Sequence, residues 1–491
     1  MTVVVHAGSP LTRAPALSDV PTSPLRKGRP FRGRDAADRE SARGVNWRQL
    51  MKPNRRDIAI APLLFLLLVL HSPPSLALQP LEMFLAGASE RNPDELEARA
   101  AVLEQQGQAL SALGRVLPGV AANGSYTRNQ YSSAITLAQL GHPAQTVTLL
   151  PRDQWDGSAT LTVPLVDLAG LRRVSAANES ARSAAYRLDA TWLQVQGLVA
   201  QEYYQLVADL ALVAASRAAL DVSREGLALA RARLRAGAAG VLEVDRARAD
   251  VEQQFQQLAA AELQVTLTAR ALDSASNVQP DVSGVVPLID DLHPEPELSS
   301  FLNAVAALPS VAAAAASTHA AAVEADARRL ALVPSIAGTF TGTGTNTPGF
   351  IGHDWSYRAA LTATWSFDLT RIGDIKAQDA AVDATWAREL RAALAARDAI
   401  HREWNTVTAG IARSRSARAG REAAFHAAEQ ARERYRAGTI TQLDLLQAQR
   451  DAFNSEVSRI QADADLINAR VQLRLSAGGS LLAAKDGGGY R

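Results

Sequence analysis

RYRAGTITQLDLLQAQRD, residues 434–451, reads as a helix end, a glycine break and a fresh helix start. An earlier stretch, RLRAGAAGVLEVDRARAD at 233–250, repeats it with identities at Arg, Arg, Ala, Gly, Leu, Ala and Asp in one register. Gly438 minus Gly237 sets the offset at 201 residues. At each break the glycine suits the left-handed residue that closes a helix, and the Leu–acid pair after it restarts the periodicity. Two helix–turn–helix tips are therefore expected, one in each half of the chain.

Outward from the tips, apolar and Ala positions recur every three or four residues from Leu168 to about Leu272 and from about Asp374 to Leu475. Each block reads as two helices of ~50 residues, ~75 Å long at the α-helical rise, too long for a compact domain. Down the last arm, Leu443, Leu446, Ala448, Phe453, Val457, Ile460, Ala464, Ile467, Val471 and Leu475 form the expected coiled-coil seam. Shorter helices, Leu81–Arg115 and Glu297–Leu330, open each half.

Between short and long helices the period changes to two. In YRAALTATWSF, residues 357–367, apolar side chains alternate with Arg, Thr and Ser, and ATLTVPL, VAANGSYT and IAGTFTGT alternate likewise. Four strands follow, two per half, each near the 9–11 residues that cross a bilayer when tilted. Tyr126, Tyr131, Trp155, Phe340, Phe350, Trp355, Tyr357, Trp365 and Phe367 fall in or beside them, as in an interfacial aromatic girdle. A soluble antiparallel sheet with an aromatic core is the alternative, although four short strands beside such helices have little to pack on. The connections at roughly 129–156 and 344–354 are polar and carry Gly and Pro, which suits external loops. Four strands cannot close a membrane barrel, because open edges in hydrocarbon leave backbone groups unpaired. The barrel is expected to be shared between chains.

Composition agrees. Hydrophobic residues make up 47 % and aromatics only 5 %, which favours Ala-rich helices over a large globular core. A net charge of +1 argues against a nucleic-acid partner. With no Cys, disulfides, thiolate metal sites and a lipid-acylated Cys are excluded. Residues 51–77, MKPNRRDIAIAPLLFLLLVLHSPPSLA, have the basic start, short apolar run and small-residue end of a signal peptide cleaved after Ala77, with an uncleaved anchor as the alternative. Residues 1–50 read as a disordered leader or a misassigned start ahead of Met51. The expected organisation is then a first repeat at 78–280, a linker at 281–296, a second repeat at 297–479 and a flexible tail at 480–491.

The doubled order of short helix, strand pair and long helical hairpin, with LPGVAANGSY and LVPSIAGTF opening the strand pairs, resembles the TolC family of outer-membrane efflux proteins across 81–479. The resemblance implies a mainly α fold with a membrane β-barrel part: a homotrimer with a twelve-stranded barrel in outer-membrane lipid and a coiled-coil α-barrel in the periplasm. It implies the exit duct of a tripartite pump or type I secretion system, docked by a periplasmic adaptor, and through it an inner-membrane transporter. The docking tips would lie at Gly237, Leu242, Gly438 and Leu443. It further implies that Tyr435 bonds Glu243 to hold the tips closed, and that Asp444, repeated around the axis, forms a constriction favouring cations. Asp444 equally suits a helix-start carboxylate facing the dipole. Better-known members carry an acid where Gln447 stands and an arginine at the Ile440 position, so weaker ion selectivity and a differently built gate are expected. Asp167 and Asp368 read as helix caps.

An enzyme reading needs a constellation, and none appears. The eight His are scattered, GTGTNTPG follows a strand into no helix, and no cofactor or metal motif is present. Two functions remain: a passive conduit, and a non-conducting periplasmic coiled-coil scaffold.

Overall fold

The computed structural model describes residues 78–137, 145–283, 287–348 and 352–482. The leader, the signal peptide, Phe350, most of the tail and parts of both connections lie outside these residues. Helix α1 (Leu81–Arg91) is followed at once by α2 (Pro93–Val116). The single opening helix expected from periodicity is thus split. Pro93 disfavours helical geometry at Asn92, whose side chain accepts from Asp94 N at 2.9 Å and donates to Ala275 O at 2.9 Å.

Strands β1 (Gly119–Arg128), β2 (Ser133–Leu137), β3 (Gln145–Leu150) and β4 (Asp153–Val166) lead into α3 (Leu168–Arg235) and α4 (Val241–Ser276). The second half runs α5 (Leu298–Leu302), a 3-10 turn (Val305–Ala307), α6 (Pro309–Leu330), β5 (Ser335–Thr345), β6 (Trp355–Thr364), α7 (Leu369–Arg436) and α8 (Gln442–Ser476). Long arms α3 and α7 have 68 residues each, about 100 Å, against 36 and 35 for their return arms, so the expected equal arms are corrected. Each long arm starts at an Asp cap: Asp167 accepts from Gly170 N at 2.7 Å, and Asp368 from Arg371 N at 2.9 Å. Each ends where Gly237 (φ 72°) or Gly438 (φ 76°) takes the left-handed conformation that side chains resist.

The four long strands form one antiparallel sheet in the order β1-β4-β5-β6, so that pairing of β4 with β5 joins the two halves. Among the described residues β2 and β3 pair only with each other, and they extend the first connection, where the sequence reading placed a loop. Trp365 and Phe367 lie past the end of β6 at Thr364, not inside the strand. Both faces of β1 and β6 are exposed throughout, which leaves no room for the soluble-core alternative.

The large apolar side chains that are fully buried lie in seams between helices. Phe84, Leu85, Leu206 and Leu272 fill one among α1, α3 and α4, while Ile400, Val407, Leu466 and Leu473 fill another between α7 and α8. The predicted seam of α8 is partly corrected. Leu443 is 60 % exposed, and Leu445, Leu466 and Leu473 point inward instead, spaced by three heptads and then one. Gly410 lets α7 and α8 approach closely, since a Cβ there would meet Leu466 at 3.2 Å.

Candidate functional site: the helical tips and the exposed sheet

At the tips the α3–α4 hairpin meets the α7–α8 hairpin of the same chain. Tyr435, on the last turn of α7, is buried and donates its hydroxyl to Glu243 Oε2 at 3.0 Å. Burial first, and then the carboxylate, raises its pKa, so it stays a neutral donor. The predicted pair is therefore brought together. Further links join the hairpins: Gln442 Nε2 donates to Glu243 O at 2.6 Å, Arg432 pairs with Glu225, and Arg450 reaches Asp250 at 3.4 Å. Asp250 is buried, which pushes its pKa up, and Arg450 offsets this only in part.

Arg233 was missed by the sequence reading. Its guanidinium carbon lies 4.5 Å above the centre of the Tyr435 ring, and its Nη1 donates to Tyr435 O at 2.7 Å. The repeat does mark an arginine here, but a contact between hairpins leaves no trace in the periodicity of either one.

Asp444 completes a capping box. Its backbone N–H donates to Thr441 Oγ1, while its Oδ2 accepts from Thr441 N at 3.1 Å and Thr441 Oγ1 at 2.7 Å. Those bonds lower its pKa and leave Oδ1 open to solvent. Gln447 donates along its own helix to Asp451 at 2.9 Å and takes no part in the hairpin links described. Gly237 and Gly438 make the two turns. Just beyond them, Leu242 is exposed like Leu443, and so is Val241, which the sequence reading did not single out.

At the opposite end the sheet register sorts side chains by face. Residues paired across strands share a face, so Val120, Ala122, Tyr126, Trp155, Ala159, Leu161, Phe340, Tyr357, Ala359 and Leu361 lie together. The other face carries Asn123, Ser125, Ser158, Thr160, Thr162, Thr339, Thr341, Thr343, Ser356, Arg358 and Thr362. Its hydroxyls pair with one another: Thr160 with Thr341 at 3.1 Å, Thr343 with Ser356 at 2.8 Å.

The aromatics fall in tiers. Tyr126 and its register partner Trp155, with Trp355 and Tyr357, sit toward the loop end. Trp365 and Phe367 lie at the helix end, where Trp365 Nε1 donates to Leu332 O at 3.0 Å. Phe340 is mid-sheet and stacks on Tyr357 with ring centres 5.9 Å apart. Trp355 covers Gly342, where a Cβ would come within 2.3 Å of the ring.

The family model described as "Outer membrane efflux protein" matches residues 85–278 and 303–479, one segment per structural repeat. No curated protein sequence matches the chain. Among solved structures, the chain is similar to the outer-membrane channel OprN, with 20 % identity and a TM-score of 0.69 over 82 % of this chain and 90 % of that one. It is also similar to the Campylobacter jejuni CmeC outer membrane channel, at 17 % and 0.70 over 82 % and 86 %. The open state of the Neisseria gonorrhoeae MtrE outer membrane channel gives 19 % and 0.67 over 81 % and 89 %. At these identities the likeness is one of fold.

Proposed function

Because the chain belongs to the outer membrane efflux protein family, we propose that it works as a homotrimeric, passive exit duct of a tripartite efflux pump or type I secretion system. The carrying observation is the four-stranded sheet with two open edges, one apolar face ringed by aromatics and one face of Thr and Ser. Such a sheet is unstable in lipid alone and stable when neighbouring copies pair β1 with β6. Lipid would meet the apolar face and water the hydroxyls. The helices would continue the tube into the periplasm, where the exposed Val241, Leu242 and Leu443 suit an adaptor protein tied to an inner-membrane transporter. In this reading the chain performs no chemistry, holds no cofactor or metal and binds no nucleic acid.

Closure would rest on the Tyr435–Glu243 bond. Asp444 stays ionised with one carboxylate oxygen committed to its cap, so copies of it around the axis would favour cations. The test is planar-bilayer conductance of detergent-extracted, mass-determined protein with its N-terminus sequenced. A conducting trimer beginning near Leu78 supports the duct and the cleaved signal together, whereas a soluble, non-conducting species would favour the scaffold. In the conducting trimer, Tyr435→Phe with Glu243→Gln raises the closed-state single-channel conductance; no change removes the pair from the gate.

A further inference from the structure

The hydrogen bond from Tyr435 to Glu243 fixes one atom of a ring that could still swing about its side-chain torsions. Beyond the packing that buries the ring, two other contacts restrain it, and both come from Arg233. The guanidinium stacks on the ring at 4.5 Å, and Nη1 holds the carbonyl of the same residue at 2.7 Å. That carbonyl belongs to the last turn of α7, which also carries the negative end of the helix dipole, so a cation is favoured there. Arg233 is half-buried and its Nε has no hydrogen-bond acceptor among the described residues. Stripped of water on that edge, the guanidinium is compensated by the ring face.

The repeat is broken at this point. Arg434 stands 201 residues after Arg233, but the residue matching Tyr435 is Leu234, so the clasp runs once per chain, from the first hairpin to the second. We propose that Arg233 is the positioning residue of the tip lock, holding Tyr435 in register with Glu243 and thereby the two hairpins together. The consequence for conductance rests on the gate reading above; the positioning role does not.

The chain contains no Cys, so spin labels can be placed cleanly. Ala236→Cys and Ala437→Cys sit on the two exposed helix caps, one at each tip. Labelled full-length protein, diluted with unlabelled protein so that each trimer holds one labelled chain, reports the tip separation by pulsed electron resonance. Arg233→Ala lengthens and broadens that distance, Arg233→Lys, which keeps charge but loses the planar fork, falls between, and Arg434→Ala leaves it unchanged. An unchanged distance in Arg233→Ala overturns the proposal, as does an equal lengthening in Arg434→Ala, which would reduce the effect to lost charge. In bilayers, Arg233→Ala raises closed-state conductance several-fold, and adding Tyr435→Phe raises it no further. A lengthened distance with unchanged conductance upholds the positioning role and overturns the gate.

Discussion

Arg470 of α8 is the most enclosed cation among the described residues with a multiple-acid partnership. Asp290 Oδ2 lies 2.9 Å from its Nε, off the N–H direction, so that contact is charge pairing, whereas Nη2 donates to His293 O at 2.7 Å and Nη1 meets Glu295. All these partners lie on the inter-repeat linker, which Arg470 thus binds to the helices. Arg470→Met leaves two buried carboxylates without their cation and is expected to cost about 3–5 kcal/mol, read as a shifted denaturation midpoint. Adding Asp290→Asn and Glu295→Gln restores most of the loss, because no charge is then stranded. Asp209 poses the opposite case. It is buried in the α3–α4 seam, accepts from Thr268 at 2.7 Å and Gln205 at 2.9 Å, and has no cation partner among the ion pairs of the described residues. Burial raises its pKa more than the two donors lower it. The native state therefore holds the proton more tightly than the unfolded chain, and stability from this group falls as pH rises from the ordinary carboxylate range through the raised native pKa. Asp209→Asn abolishes that dependence. The midpoint of the parent relative to the variant should improve as pH drops from about 7 to about 4.5, and a flat difference would mean that Asp209 titrates normally.

The two halves differ chiefly in one element. Gly119 and Ser335 open the strand pairs 216 residues apart, but Leu168 and Leu369 open the long helices 201 apart. The missing 15 residues are the difference between the connections 129–152 and 346–354, which is where β2 and β3 lie. Since among the described residues those strands pair only with each other, replacing 131–150 by a short Gly-Asn turn should leave oligomer size on a sizing column and channel conductance close to the parent's. Loss of assembly would give the hairpin a structural role. The same region shows why some elements were legible and others not. Gly237 and Gly438 announced their turns because only glycine sits easily at positive φ, and the strand faces showed because alternation persists for ten residues. β2 and β3 are five and six residues long and offered too short a window for a period to stand out. The split at Asn92 was written in its Asn-Pro pair and was overlooked beneath a continuous apolar pattern. Leu443 and Leu445 both fit a three-and-four spacing, and which turns inward depends on the neighbouring helix, information no single helix contains. Arg233 went unseen for the same reason, whereas the Tyr435–Glu243 pair was legible only through resemblance.

At the scale of the whole molecule the sheet is the part that cannot stand alone. Its edge strands β1 and β6 each have one neighbour among the described residues, and neither of their faces is covered. Adjacent alanines on β6 separate the environments proposed for those faces. Ala359 pairs with Phe340 between Tyr357 and Leu361, while Ala360 pairs with Thr339 between Arg358 and Thr362. Both are small and exposed, so an arginine at either clashes with nothing in the isolated chain. In lipid they diverge. Arginine on the lipid face near the bilayer midplane costs about 2–4 kcal/mol for each copy, whereas the water-facing side already tolerates Arg358. Ala359→Arg should therefore deplete the assembled oligomer in membrane extracts. Ala360→Arg should assemble like the parent and shift the ratio of cation to anion permeability toward anions, because it adds a positive charge to the lumen wall. Equal tolerance of both, with unchanged permeability, would mean that neither face meets lipid and would return the chain to the scaffold reading. Depletion by Ala360→Arg alone would invert the sheet, placing the hydroxyl face outward, an arrangement that hydrocarbon cannot stabilise against the loss of water from the Thr and Ser side chains.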